Sequence, residues 1–194
     1  MTDPPEPREE LVGSRRVFQG GRLTVRVDRV RLPSGRETDR EVVEHPPTVV
    51  IVPVTSDGDL ILIRQYRQPV AAAPLTFPAG VIDPGEEAAD AARRELREET
   101  GYAAGWLTPL LTYFTSPGYS TERQTIFRAD DCRFVSEATE VNELISLVRI
   151  PLTDLPKLLT NLADPIADGK TMLGMLLLAR ELTVAGGTSG ASRG

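Results

Sequence analysis

The chain has 194 residues, 40% hydrophobic and 26% charged, which suits one ordinary soluble domain with an extension. A formal net charge of -6 argues against a general nucleic-acid surface. One cysteine, Cys132, excludes an internal disulfide, and one histidine, His45, excludes a multi-histidine zinc site.

The opening MTDPPEPREE is acidic and proline-rich and lacks the basic flank and apolar stretch of a signal peptide. Residues 1–13 are expected to be a disordered tail. From Arg15 the pattern turns strand-like: Leu23, Val25 and Val27 alternate, then the phase slips to Val30 and Leu32, as at a β-bulge. Pro33-Ser34-Gly35 reads as a turn and 40–44 as a returning strand. Residues 14–47 are thus expected to form a small antiparallel sheet, an N-terminal extension for dimerisation and substrate contacts.

Residues 48–184 are expected to form the main domain. TVVIVPV at 48–54 is a β-branched run, hence a strand buried on both faces. A turn at 56–59 leads to the strand LILIRQYR at 60–67, which ends in Arg64, Gln65 and Arg67. A Pro/Ala-rich connection then delivers Phe77-Pro78-Ala79-Gly80. The stretch 80–102, GVIDPGEEAADAARRELREETGY, places Glu95, Glu98 and Glu99 in one helical turn. Residues three and four apart share a helix face, so three like charges crowd together and repel. Their hard oxygens suit Mg²⁺, Mn²⁺ or Ca²⁺. The bland reading is an acidic, solvated helix whose Ala88, Ala89, Ala92 and Leu96 face the core.

Strands follow near 107–114 and 121–129, around the turn Ser116-Pro117-Gly118. The acidic stretch SEATEVNE at 136–143 reads as a loop. Another strand is expected at 144–150, a short helix near 152–159, and a final helix at 170–182. For that helix Asp168 is the expected N-cap and Met172, Leu173, Met175, Leu176 and Ala179 the core stripe. Residues 185–194 read as a disordered tail. No apolar patch is long enough to span a bilayer, so a cytoplasmic protein with no membrane or nucleic-acid partner is expected. The element order is that of a mixed sheet packed between helices, an α/β fold.

Spacing sharpens the site. Gly80 precedes Glu86 by five intervening residues, and seven more lead to Arg94-Glu95-Leu96, Glu98-Glu99 and Gly101-Tyr102. This pattern resembles the signature of the Nudix hydrolases. Tyr102 is the one soft match, where an aliphatic residue is more usual. The resemblance implies a Nudix-type α/β/α sandwich with a mixed sheet. It also implies Mg²⁺ (or Mn²⁺), roughly two or three ions per site. Their ligands would be Glu95, Glu98, Glu99 and the Ala79 carbonyl, with Glu98 and Glu99 counted as catalytic. Gly80, Glu86, Arg94 and Gly101 would be structural, Glu86 and Arg94 as a pair fixing the loop against the helix.

Pro117 lies sixteen residues past Gly101, and with Tyr119–Arg123, Arg40-Glu41 and Gln65–Arg67 it resembles the ADP-ribose pyrophosphatase branch. That likeness implies a homodimer and a nucleotide substrate. Arg67 would contact the pyrophosphate or terminal ribose, or else is a strand-end surface charge. Arg40 and Glu41 would reach the adenine, in this site or a partner's, or are surface charges. Gly118 and Glu122 would lie on the substrate side, Glu122 also as an orienting group. The base would be Glu143, with Glu140 as the alternative and a solvated acidic loop as the competing reading. Many relatives carry a glutamate where this chain has Thr76, so one metal contact is expected to be absent. The implied reaction is Mg-dependent hydrolysis of ADP-ribose to AMP and ribose 5-phosphate. The alternatives are another nucleoside diphosphate derivative (a nucleotide sugar, NADH, FAD or a dinucleoside polyphosphate) or a non-catalytic ADP-ribose sensor.

Overall fold

The computed structural model describes residues 8–136, 145–160 and 168–188. The chain divides into two compact units. One comprises the N-terminal residues to Pro47 together with Tyr113–Gln124; the other comprises Thr48–Thr112 and Thr125–Gly194.

The N-terminal unit is a three-stranded antiparallel sheet of β1 (Glu10–Gln19), β2 (Thr24–Arg31) and β3 (Glu37–Glu44), in that order. Strand β1 starts four residues inside the expected tail. Every one of its residues is exposed, so its sequence shows no alternation from which a start could be read. The expected bulge in β2 is absent: β2 pairs with β3 without a break from Thr24 to Arg31. The register shifts lie in the pairing of β1 with β2, at Leu11/Gly13 and Arg16/Phe18. The slip of phase in β2 arises because Asp28, not an apolar residue, is buried there. Ser14 donates to it at 2.6 Å and Arg26 pairs with it at 3.2 Å, which satisfies the carboxylate. Cross-strand ion pairs line the rest, Arg29 with Asp39 and Arg31 with Glu37 among them. The segment 113–124 joins this unit through backbone bonds: Val43 N–H donates to Tyr119, and Thr121 N–H to Val43.

In the larger unit, β4 (Thr48–Thr55) is buried throughout, as its β-branched run requires. It sits inside an eight-stranded mixed sheet of order β11-β5-β4-β10-β8. Here β5 is Asp59–Gln65, β8 Tyr102–Ala103, β10 Arg123–Phe134 and β11 Ile145–Pro151. Strands β6 (Leu75–Thr76), β7 (Ala79–Val81) and β9 (Trp106–Phe114) pair with β5, β4 and β10. Helix α1 (Ala88–Thr100) covers one face, its Ala91, Ala92 and Leu96 clustering with Val49, Ile51, Ile61 and Phe127. Alternation sends Val52 to the other face, against Gly174 of α3 (Gly169–Thr188). The layers are therefore helix, sheet and helix. A short helix α2 (Leu155–Thr160) precedes α3.

Two expected elements shift. β10 runs on to Phe134, through Asp131 at φ 52°, and its end pairs with β8, which carries no signal longer than two residues. The inward face of α3 is Thr171, Gly174, Met175 and Leu178, while Leu176 is 51% exposed. Gly174 decides this phase: a Cβ there would lie 2.9 Å from Val52 and 3.0 Å from the Phe77 ring, inside van der Waals contact. The helix continues to Thr188, past the expected tail boundary. Among the described residues no helix is long and apolar enough to cross a membrane.

Candidate active site

Helix α1 buries the wrong residues for a purely structural helix. Its buried positions are Ala91, Ala92, Glu95, Leu96, Glu99 and Thr100, the i, i+4, i+8 pattern of a core face. Two of those six are glutamates, 8% and 4% exposed. A buried carboxylate costs several kcal/mol, roughly, unless it is paired or bonded. The sheet supplies the bond to Glu99 and Arg94 the one to Glu95. β7 passes beside α1, and the Ala79 N–H donates to Glu99 Oε2 at 2.9 Å. Gly80 lies so close to Glu95 that a Cβ there would fall within its carboxylate. Glycine is required for that approach.

Arg94 organises the remaining charges. Its Nε and Nη2 donate to the two oxygens of Glu86, each at 3.0 Å, a bidentate fork. Nη2 also reaches the Val81 carbonyl at 2.9 Å, and Nη1 reaches Glu95 at 2.7 Å and Glu98 at 3.1 Å. Glu86 takes a further bond from the Asp83 N–H at 3.0 Å, closing the turn in which Gly85 holds φ 85°. The expected Glu86–Arg94 pair is thus present, and the guanidinium also bridges two of the three helix carboxylates. That wider reach has no sequence signal beyond the four-residue step from Arg94 to Glu98.

The titration behaviour follows from these contacts. Burial pushes the Glu95 carboxyl above its ordinary value, and Arg94 only partly offsets this. Glu86 is held below the ordinary carboxylate range, first by Arg94 and then by the Asp83 N–H. The Arg94 guanidinium is raised, chiefly by Glu86.

A hard divalent cation fits this donor set. Glu95, Glu98, Glu99 and the Ala79 backbone lie on two adjoining elements, all donors are oxygen, and Gly80 lets the Glu95 carboxylate lie against the β7 backbone. Among the described residues the carboxylates do not form a preformed cage of three. Arg94 holds Glu95 and Glu98, while Glu99 is turned onto the Ala79 N–H.

Other expected site residues lie elsewhere. Arg67 follows β5, its N–H bonded to Ala72 at 2.8 Å, in the same unit as α1. Arg40 and Glu41 are on β3 in the N-terminal unit, and Arg40 pairs with Glu9 at 2.6 Å. Gly118 sits in the exposed turn 117–119. Glu122 accepts the Thr115 hydroxyl at 2.8 Å and lies 3.8 Å from His45. Glu143 and Glu140 lie outside the described residues. Gly101 ends α1 at φ 75°, its N–H capping Arg97 at 2.9 Å, and a side chain there would strike the Ser136 carbonyl.

The contact at Gly80 makes a direct prediction. Gly80→Ala drives the Glu95 carboxylate off its position and should lower metal-dependent turnover by about a hundredfold. Steady-state kinetics across a Mg²⁺ titration checks this; turnover within a few-fold of the parent rejects the close approach.

A family model described as "NUDIX domain" matches residues 44–168, and one described as "Nucleoside diphosphate sugar hydrolase N-terminal domain" matches residues 9–43. The chain is 34% identical over 165 residues to an ADP-ribose pyrophosphatase of Bacillus subtilis (strain 168), covering 84% of this chain and 88% of that one. It is 37% identical over 146 residues to the ADP compounds hydrolase NudE of Escherichia coli (strain K12), covering 75% and 73%. A crystal structure of an ADP compounds hydrolase superposes with a TM-score of 0.82 at 29% identity, covering 92% of this chain and 96% of that one.

Proposed function

The chain belongs to the Nudix hydrolase family, and on that premise we propose that it hydrolyses the pyrophosphate bridge of ADP-ribose, using Mg²⁺. Water adds across the bridging P–O bond, giving AMP and ribose 5-phosphate. One observation carries the reading: α1 spends its core face on Glu95 and Glu99 beside the Ala79-Gly80 backbone. The substrate follows the relatives named for ADP-ribose and ADP compounds.

Glu95, Glu98, Glu99 and the Ala79 carbonyl would hold the cations. Bound Mg²⁺ supplies Lewis-acid polarisation and neutralises charge on the diphosphate. Arg94 balances the carboxylates and keeps the 82–87 turn against α1. Arg67 offers a guanidinium fork to phosphate oxygens. Arg40 and Glu41 are assigned to the adenine, and Gly118 and Glu122 to the substrate side. Glu143 takes the role of base, receiving the proton of the attacking water. The protein acts as a homodimer in the cytoplasm; the exposed Leu11, Val17 and Phe18 of β1 support an apolar contact between copies.

Release of AMP from ADP-ribose, a nucleotide sugar, NADH, FAD and a dinucleoside polyphosphate tests the assignment. ADP-ribose should give the highest kcat/KM. Negligible AMP from ADP-ribose, with turnover of another member of the panel, rejects it.

A further inference from the structure

The segment Thr76–Ala79 delivers the Ala79 carbonyl, and it is gripped from both faces of the sheet. On the α1 side Glu99 accepts the Ala79 N–H, and within the sheet the Ile51 N–H donates to the Pro78 carbonyl at 2.9 Å. From the opposite face comes the first turn of α3. The Thr171 hydroxyl accepts the Phe77 N–H at 3.0 Å. Its oxygen lies 2.8 Å from Asp168 Oδ2 and 3.1 Å from Thr76 Oγ1. The Thr76 hydroxyl donates to that same Asp168 oxygen at 2.9 Å, and Lys170 Nζ pairs with it at 2.6 Å.

These groups are polar and enclosed: Thr76 is 1% exposed and Thr171 4%. Each hydroxyl has one proton, so the network has a direction. Thr76 and Thr171 both give theirs to the carboxylate, which leaves the Thr171 lone pair for Phe77. Burial alone would raise the Asp168 carboxyl. Lys170 and the two hydroxyls outweigh it and hold the group below its ordinary value. Asp168 holds the expected capping position of α3, just before Gly169. Its backbone carbonyl does take the Met172 N–H, but its side chain faces hydroxyls and an ammonium.

We propose that Asp168, Thr171 and Thr76 are positioning residues that set the Ala79 carbonyl for the cation, from the side of the sheet opposite α1. This rests on the reading that Ala79 and the α1 carboxylates hold a divalent cation. Thr76 stands where the resemblance places a glutamate. Here a hydroxyl at that point passes the restraint to a carboxylate 92 residues along the chain. The segment is thus held at the Thr76 hydroxyl, the Phe77 N–H, the Pro78 carbonyl and the Ala79 N–H, with the Thr76 hydroxyl also 3.2 Å from the Phe77 carbonyl. None of the three side chains need touch the metal. Groups that orient ligands from behind commonly alter metal affinity by about 10- to 100-fold when removed.

The test is Mn²⁺ alone, titrated into the full chain and followed by calorimetry and by electron paramagnetic resonance of free ion. Glu99→Gln should abolish the tight Mn²⁺ site; if wild type shows no site sensitive to Glu99, the cation reading itself fails. With that site present, Thr171→Val and Asp168→Asn should each weaken Mn²⁺ binding by about tenfold, and Thr171→Ser should restore it. Leu178→Ala removes a fully buried α3 side chain outside the network and serves as a stability control. It should lower the melting temperature at least as much as Thr171→Val, yet leave Mn²⁺ affinity unchanged. Mn²⁺ binding by folded Thr171→Val or Asp168→Asn within twofold of wild type overturns the proposal. So does an equal loss of affinity in Leu178→Ala.

Discussion

Glu99→Gln is expected to lower kcat on ADP-ribose by about a thousandfold, roughly 4 kcal/mol of transition-state stabilisation, with the fold intact. Glutamine keeps the size of the side chain and a carbonyl oxygen for the Ala79 N–H, so β7 can stay seated against α1. What it removes is the negative charge. At 4% exposure that charge carries a desolvation cost in the fold. The variant should therefore melt, in chelator, within roughly 4 °C of wild type or above it. Mg²⁺ should raise the melting temperature of wild type and not of the variant. Activity within tenfold of wild type would reject the metal-ligand role of Glu99, whereas a wild type that binds ADP-ribose without cleaving it would favour a module that senses nucleotide.

The residues of the candidate site are legible because a helix and the turn before it bring them close together in sequence. A helix puts Glu95, Glu98 and Glu99 on adjoining positions, and a turn must precede it, so Gly80, Glu86 and Arg94 fall at fixed steps. The continuous β-branched run of β4 was equally plain, since a strand enclosed on both faces leaves no room for alternation. Long-range partners leave no such trace. Thr171 and Asp168 meet Thr76 across more than ninety residues, and nothing local marks either as more than a helix start. β1 starts ahead of any sequence signal because all of its residues are exposed, and the pattern in β2 slips at a buried Asp28 rather than at a bulge. The α3 stripe missed by one position for a related reason: Gly174, not a large apolar side chain, marks the line of closest contact with the sheet. Sequence patterning registers what a side chain prefers, and it is blind to what a neighbour leaves space for.

Replacing Arg94 by methionine should destabilise the protein by about 3 kcal/mol near neutral pH, the largest stability effect expected of any single site residue. The guanidinium is less than a third exposed and gives hydrogen bonds to Glu86, Glu95, Glu98 and the Val81 carbonyl. Methionine can fill the volume but leaves Glu95, its side chain 10% exposed, without its cation. The loss should depend on pH, and its sign is fixed. Burial already raises the Glu95 carboxyl, so in the fold its charged form becomes a burden as pH rises; without Arg94 that burden grows. Glu86 lies below its ordinary value because of Arg94, so it contributes stability at and above that value and loses it as pH falls. In the variant the larger part of this contribution is gone and only the Asp83 N–H remains. Both effects widen the gap between wild type and Arg94→Met at neutral pH and narrow it as pH drops through the carboxylate range. Urea unfolding at about pH 8 and about pH 4.5 measures both gaps. Lysine in place of Arg94 should recover only part of the loss, because a point charge cannot serve both oxygens of Glu86 and the Val81 carbonyl together. A gap that stayed constant with pH would mean that Arg94 stabilises through packing alone. In that case the carboxylates of α1 would have to be neutralised by something other than the residue beside them.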